Sequence, residues 1–201
     1  MAIRHALTVT DLDGTYVRGN TLHIYIRCGI AQMVRRRAFG KLLRTLGLLA
    51  LRRLHLVGHR TMKFGICGLI DPEDNSLRED FRTRVEPMIN PAVRDALKGH
   101  YARLLATAAP ETYVPWIWDG PYVATRMEDN PGRTECRGEE KLRRIREFIK
   151  PGPPVEPYTL YTDHSDDIPL MHAFREVVLV SPSAETVARV KGLGIKFTVI
   201  N

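Results

Sequence analysis

Two aspartates that follow a short β-prone run are the residues whose types and spacing suggest chemistry. Residues 7–10 are cut off by Asp11, Leu12, Asp13 and Gly14. Side chains alternate along a strand, so Asp11 and Asp13 are expected on one side and Leu12 on the other. Two carboxylates this close repel each other, and a cation or a shared proton is expected to compensate. The alternative is an ordinary turn, because Asp and Gly are common turn residues.

Length and composition describe an ordinary globular chain. It has 201 residues, of which 44% are hydrophobic, so we expect one domain or a core domain with a small insert. Its three cysteines show no CxxC pairing, which suits a reducing compartment. We expect neither a signal peptide nor a membrane span, because no sufficiently long apolar run is present, and cytoplasm is the predicted location.

The positive charge is concentrated in one segment. Between Asp13 and Asp71 there is no acidic residue but there are eleven basic ones, which leaves about −4 for the rest of a chain whose net charge is +7. Helical patterns predict three helices in this segment, over residues 21–34, 38–56 and 59–69, and a cap at Asn75-Ser76 with a stop at Pro87 predicts a fourth just after it, over residues 77–86. We therefore predict a basic, all-helical insert that faces an anionic partner.

Outside the insert, strands alternate with helices. The predicted strands cover residues 7–10, 101–107, 122–127, 158–162, 177–180 and 196–200, with a hairpin after the third and a helix from Pro110 to Trp118 between the second and third. This alternation predicts a parallel sheet with helices on both faces, an α/β fold. Because such sheets bind ligands at the carboxyl ends of their strands, the aspartate pair is well placed for a site.

Three further features accompany the pair. Thr107 follows the second predicted strand, Asp163 and Asp167 follow the fourth, and Lys141 lies at the start of a predicted helix. Carboxylates from two strand ends are suitable ligands for Mg²⁺, which prefers hard oxygen atoms. A hydroxyl and a lysine suit the oxygens of a phosphoryl group.

In order and placement, DLDGT, Thr107, Lys141 and the segment DHSDD resemble the four motifs of haloacid dehalogenase superfamily phosphotransferases. The helical insert after the first motif resembles the cap of the phosphoserine phosphatase-like group, subfamily IB. The resemblance implies a Rossmann-like core over residues 1–15 and 91–201 and a helical cap over residues 16–90. It also implies a Mg²⁺-dependent phosphomonoester hydrolase that works through an aspartyl-phosphate.

The same resemblance implies individual roles. Asp11 is the nucleophile and Asp13 the general acid and base, while Thr107 and Lys141 bind phosphoryl oxygens. Asp163 binds Mg²⁺ together with Asp11 and the backbone carbonyl of Asp13. Asp167 either binds the metal, directly or through water, or orients Lys141; by spacing it is favoured over Asp166.

Substrate and partners are less determined. Gly14, Arg18, His23 and Arg27 are predicted to contact substrate because they lie closest in sequence to the nucleophile. A cap without early acidic residues disfavours phosphoserine and favours a small, more anionic phosphomonoester. Nucleic acid is not expected as a partner.

Two alternatives remain open. One is a non-catalytic basic binding module on the same fold. The other is a lipid-phosphate phosphatase or phosphotransferase at an anionic membrane surface, because amphipathic basic helices with leucine faces lie on membranes. In the predicted helix over residues 38–56, an apolar stripe is crossed by arginines; the stripe comprises Leu42, Leu43, Leu46, Leu49 and Ala50.

Overall fold

Within the residues that the computed structural model describes (5–100, 102–150 and 155–201), six parallel strands form one sheet. The strands are β1 (His5–Thr10), β2 (Ala102–Pro110), β3 (Tyr122–Thr125), β4 (Val155–Thr162), β5 (Glu176–Val180) and β6 (Thr198–Ile200). Their order across the sheet is β3-β2-β1-β4-β5-β6. After β3 the chain thus crosses to the other half of the sheet, so that the strand order switches between the neighbours β1 and β4. The predicted Rossmann-like α/β fold is confirmed.

Eight helices connect the strands of the described chain. They are α1 (Thr21–Arg35), α2 (Phe39–Arg53), α3 (His59–Cys67), α4 (Asn75–Val85), α5 (Pro91–Lys98), α6 (Glu139–Ile149), α7 (Ile168–Met171) and α8 (Ala184–Gly192). The first four lie between β1 and β2, in the stretch for which four helices are predicted. None of the described helices combines the length and apolar character that crossing a membrane requires.

Two hydrophobic clusters cover the two faces of the sheet. One contains side chains of α6, α7 and α8 and the strand residues Leu7 and Val9. The other joins α1, α3, α4 and α5 to the opposite face. In this cluster the Tyr25 ring lies 4.8 Å from the Tyr113 ring and 5.9 Å from the Phe81 ring, measured between centroids. Because the insert shares this cluster with the sheet, the cap boundary at residues 16–90 stays a prediction.

Two local predictions around β3 are wrong. The strand pairs in parallel with β2, so it is not the first half of a hairpin. The turn that follows is closed by a side chain instead, because Asn130 accepts a hydrogen bond from the backbone N–H of Thr134 (2.9 Å). Between β2 and β3, a short 3₁₀ turn at Val114–Trp116 replaces the predicted helix. In this arrangement the Trp116 ring contacts Tyr25 and Phe81, so tertiary packing overrides the helical pattern.

β2 extends further than predicted. It ends at Pro110, whereas the sequence pattern predicts an end at residue 107; Tyr101, where the prediction begins, lies outside the described residues. The last part is held by β3, since Pro110 pairs with Thr125 and the Thr125 hydroxyl donates to the carbonyl of Ala108 (2.7 Å). Thr107 therefore lies inside β2, beyond the residues of that strand that pair with β1.

Candidate active site

The two aspartates after β1 are held by backbone groups of neighbouring elements. The N–H of Asp11 donates to the carbonyl of Tyr161 on β4 (2.9 Å). Asp13 accepts from the N–H of Thr21, the first residue of α1 (2.7 Å). This N–H is one of the unpaired donors at a helix N-terminus, which attract a negative charge. The start of the insert therefore fixes the orientation of the second carboxylate.

Gly14 brings the β1 and β4 ends into close contact. Its φ of 79° belongs to the left-handed region that favours glycine. A Cβ atom at this position would lie 2.2 Å from Oδ2 of Asp163, which is closer than any two such atoms pack. The hydroxyl of Thr15 donates to the other oxygen of Asp163 (3.3 Å). The motif DLDGT thus supplies two aspartates. It also makes room for a third, Asp163, at Gly14 and donates a hydrogen bond to it from Thr15.

Lys141 joins the first and last motifs. From the first turn of α6, its Nζ lies 3.1 Å from Oδ1 of Asp11 and 2.8 and 3.0 Å from the two oxygens of Asp167. The hydroxyl of Thr162 also donates to Asp167 (2.8 Å). The side chains of Lys141 and Asp167 are 4% and 3% exposed, so their pairing occurs away from water. Of the two roles implied for Asp167, this geometry favours orientation of Lys141.

Burial and like charges shift the pKa values of this group. Burial raises the pKa of the Asp11 carboxyl to about 7; Lys141 opposes the shift, and the nearby carboxylates add to it. Burial acts to lower the pKa of Lys141, but the charges of Asp11 and Asp167 outweigh it, and the net pKa is raised. Lys141 is therefore a permanent cation beside a carboxyl group that is easily neutralised.

Asp13 and Asp163 have raised pKa values for the same main reason. Burial is the largest cause in both cases, and hydrogen bonds from Thr21 and Thr15 respectively act in the opposite direction. A cluster of three or more His, Cys, Asp or Glu side chains arranged to hold a metal ion is absent from the described residues. Mg²⁺, however, usually takes only one or two carboxylates and keeps several waters. Asp11 and Asp163, which line one cavity, meet that smaller requirement.

The cavity over these carboxylates has a volume of about 270 Å³. It is lined by Asp11, Asp13, Lys141, Asp163 and Asp167 and by residues 108–110 at the end of β2. Helix α3 contributes His59 and Lys63, which lie one helical turn apart, to another side of the cavity. The strand ends and the insert therefore both contribute residues to one cavity.

Lys63 links the insert to the core inside this cavity. It is 2% exposed, and its Nζ donates to the carbonyl of Ala108 (2.5 Å) and to Glu135 (2.6 Å). Glu135 belongs to the loop before α6, so the pair spans residues far apart in sequence. A buried ammonium with two oxygen partners is a satisfied ion pair and holds α3 against the strand ends.

Four of the predicted site residues lie elsewhere. Thr107 is buried and its hydroxyl accepts from the N–H of Ala109 (3.0 Å); the three residues after it line the cavity, and Thr107 does not. Arg18 donates to Asn90 (3.4 Å), and His23 and Arg27 are exposed on or near α1. None of these four lines the cavity as described, so their contact with substrate stays a prediction. Gly14 lies beside the cavity through Asp163.

The remaining acidic residue of the last motif has a different environment. Asp166 pairs with Arg137 and lies 2.9 Å from Nδ1 of His164. His164 also accepts from the N–H of Asp166 (3.1 Å), so it caps the 3₁₀ turn at Ser165–Asp167 and does not pack into the core. All three side chains lie at the cavity rim.

Several cavity residues were beyond the reach of the sequence pattern. The spacing of His59 and Lys63 places them on one helix face, which is a usable signal. No comparable signal identifies Glu135 or Arg137, which reach the cavity through the loop before α6. Their assignment depends on the path of that loop in space.

Comparisons with known proteins bear on the family and the fold of the chain. The family model described as haloacid dehalogenase-like hydrolase matches residues 8–172. A search of curated proteins found no match.

Solved structures share the whole architecture. A protein of unknown function from Bordetella pertussis Tohama I is 20% identical, with a TM-score of 0.75 and 99% of each chain covered. A substrate-bound phosphoserine phosphatase is 11% identical, with a TM-score of 0.59, over 93% of this chain and 91% of that one. A phospho-aspartyl intermediate analogue of phosphoserine phosphatase is 11% identical, with a TM-score of 0.55, over 98% and 94%. At these identities the likeness is one of fold.

Proposed function

Because this chain belongs to the haloacid dehalogenase-like hydrolases, which confirms the predicted family, we propose that it is a Mg²⁺-dependent phosphomonoester hydrolase. The observation that carries the proposal is the buried contact of Lys141 with Asp11 and Asp167, beside Asp13 in one cavity. Structures of phosphoserine phosphatases share the fold, which supports a phosphoester as the substrate.

In the proposed first step, a carboxylate oxygen of Asp11 attacks phosphorus. The bond from Asp11 to phosphorus forms while the bond to the leaving oxygen breaks, and Asp13 donates a proton to that oxygen. Burial raises the pKa of Asp13, which supports its retaining a proton until the leaving group needs it. In the second step Asp13 takes a proton from water, whose oxygen attacks phosphorus and frees Asp11 and phosphate.

Lys141 has two functions in this proposal. Its charge favours the ionised form of Asp11, which is the form that attacks. It also neutralises charge on the transferring phosphoryl oxygens, and Asp167 and Thr162 hold it in position. Phosphoryl transfer depends mainly on positioning and charge neutralisation. Thr107 is proposed as a further phosphoryl contact, which would require its buried hydroxyl, now accepting from the N–H of Ala109, to reach the cavity that the next three residues line.

The residues present fit Mg²⁺. Asp11, Asp163 and the backbone carbonyl of Asp13 would hold it. Burial raises the pKa values of the three carboxyls, so a bound cation would stabilise their charged forms. When bound, Mg²⁺ supplies positive charge that offsets the charge of the phosphoryl group. Asp167 is not proposed as a direct ligand, because Lys141 lies within 3.0 Å of both its oxygens and Thr162 donates to Oδ2, although Oδ1 has no well-aligned hydrogen bond.

We propose a small anionic phosphomonoester as substrate. A cavity of about 270 Å³ lies just below the usual range of ligand pockets, which supports a small substrate. The anionic character follows from the basic insert without early acidic residues, since Lys63 and Arg137 in the cavity are each paired with a carboxylate. Arg18, His23 and Arg27 are proposed to contribute only if the insert moves toward the strands. The predicted contact with an anionic membrane concerns α2, none of whose residues lines the cavity.

Hydrolysis of p-nitrophenyl phosphate with and without Mg²⁺ tests the proposal. We expect activity that needs Mg²⁺ and that falls by at least about 10³-fold in Asp11→Asn, because the nucleophile is lost. A panel of phosphomonoesters then identifies the preferred substrate. Equal activity of the wild type and Asp11→Asn would contradict the mechanism, and absence of activity in both would favour the non-catalytic binding module.

A further inference from the structure

Helix α2 presents an apolar stripe to solvent. At about 100° per residue, positions 39, 43, 46, 50 and 54 fall within an arc of about 80°. Phe39 is 64% exposed, Leu43 73% and Leu54 66%. Leu46 and Leu56 are exposed as well. A contiguous row of large apolar side chains on a surface marks an interaction site more often than isolated ones do.

The opposite face of α2 is packed, so the orientation of the helix is determined. Thr45 is fully buried, and its hydroxyl lies 3.5 Å from Sδ of Met33. Leu48 approaches α3 so closely that a Cβ at Gly65 would lie 2.8 Å from its Cδ1. The exposed stripe therefore does not result from a helix that has failed to dock.

Basic side chains flank the stripe. Arg44 lies beyond one edge and Arg53 beyond the other, by the same helical geometry, and both are exposed. The ion pairs of the basic segment involve Arg35, Arg36 and Lys63; within the described parts of the chain, no basic residue of α2 pairs with a carboxylate. Among the described residues, the charge of this face is therefore not compensated by ion pairs.

This combination selects among occupants. A second copy of the chain would bring the same uncompensated arginines together, and like charges at an interface are unfavourable. A nucleic acid would use the charges but would leave the leucines in water. A surface of anionic lipid uses both features, since apolar side chains enter the boundary between headgroups and acyl chains and arginines remain at the headgroups.

We infer that α2 is a binding surface for anionic lipid membranes. The exposed stripe enters the bilayer interface, and Arg44 and Arg53 contact acidic headgroups. Because α2 packs on α3, whose His59 and Lys63 line the cavity, this contact holds the catalytic cavity close to the membrane surface. The inference depends on the exposed face of α2 and does not require the proposed phosphatase activity.

Sedimentation with lipid vesicles tests the inference on the full chain. Vesicles of phosphatidylcholine alone are compared with equimolar phosphatidylcholine and phosphatidylglycerol, at low salt and at about 1 M salt, where the Debye length is about 3 Å. We expect binding to the anionic vesicles at low salt and at least about tenfold weaker binding at high salt. Leu43→Gln with Leu54→Gln should weaken partitioning by about 10²-fold, since burying one leucine is equivalent to about tenfold.

Matched variants distinguish binding through α2 from nonspecific hydrophobic binding to vesicles. Phe148 and Leu193 are exposed apolar residues on other elements, and their change to Gln should alter binding by less than about twofold. Arg44→Gln with Arg53→Gln should weaken binding to anionic vesicles by about tenfold or more. Hydrolysis of a soluble phosphomonoester should stay unchanged in all of these variants, so a failure of this inference is distinct from a failure of the proposed function.

Three outcomes would overturn the inference. The first is absence of binding to anionic vesicles at low salt. The second is binding that the leucine variants leave unchanged. The third is an α2-dependent complex with another occupant while vesicles do not bind. That complex would be either a dimer seen by sedimentation velocity or a salt-sensitive complex with nucleic acid, and it would assign the face to that occupant.

Discussion

Replacement of Asp167 by Asn separates its two implied roles, ligation of the metal and orientation of Lys141. An Asn side chain keeps the volume and still accepts from Thr162, but it loses the charge that pairs with Lys141. The Lys141 ammonium, 4% exposed, then has only Asp11 as an ionised partner. We therefore expect Asp167→Asn to move Lys141 toward Asp11 and to weaken both the fold and the reaction.

The magnitudes follow from the burial of the pair. Removal of one partner from a buried ion pair costs about 3–5 kcal/mol, and the remaining contact with Asp11 (3.1 Å) favours the lower value, about 3 kcal/mol. For a chain of this size that is roughly a 6–12 °C decrease in Tm. A displaced Lys141 should reduce kcat by about 10²-fold.

The assay compares Asp167→Asn with Asp163→Asn over a titration of Mg²⁺, with kcat and Tm as readouts. If Asp167 orients Lys141, its variant has a lower kcat at saturating Mg²⁺ but an unchanged half-saturating concentration. Asp163→Asn, which removes a proposed ligand, should raise that concentration by at least about tenfold. An equal increase in both variants, with the Tm of Asp167→Asn unchanged, would refute the assignment of Asp167 to Lys141.

Three further predictions concern other parts of the site. Gly14→Ala should reduce kcat/KM by more than about tenfold and lower the stability by at least about 1 kcal/mol, because its Cβ collides with Asp163 at a positive φ; unchanged kinetics would contradict the proposed close contact. Lys63→Met should lower the free energy of unfolding by about 3 kcal/mol in a denaturant titration, because Glu135 loses its buried partner. Adding Glu135→Gln should recover part of that loss, and strictly additive losses would show that the pair is not coupled. Finally, Glu140 pairs with arginines on α6, which lower the pKa of its carboxyl to about 2, below the ordinary value of 4.5. The ionised Glu140 therefore contributes about 1 kcal/mol to stability after screening by solvent. This contribution is complete above about pH 4.5 and is lost as the pH falls toward 2. Urea titrations at several pH values should show this loss in the wild type and not in Glu140→Gln.

Features that depend on short stretches of chain are visible in the sequence. Asn90 before Pro91 predicts a helix start, and its side chain does accept from the N–H of Ala92 (3.2 Å). The spacing of the last motif predicts that Asp167, and not Asp166, belongs to the catalytic group, and Asp167 is the one beside Lys141. Local spacing suffices here because one turn of helix or one strand end determines where each side chain points.

The same local information is insufficient where two surfaces compete. The apolar residues of α2 predict an amphipathic helix with Leu42, Leu43 and Leu46 in one stripe. In the structure Leu42 turns toward the packed side, while Leu43 and Leu46 are exposed. Leucines surround much of this helix, so periodicity alone does not identify the buried face, and contact with α3 decides it.

The sequence by itself determined the family, the parallel α/β architecture and the order of the charged motifs, because each is written in residue types at short spacing. Tertiary structure alone decided that Lys63 of the insert meets Glu135, 72 residues further on, and that α2 keeps a leucine face in solvent. It also placed Arg18, His23 and Arg27 away from the cavity. These outcomes depend on which elements pack against one another, and packing is a property of the whole chain that no single stretch encodes.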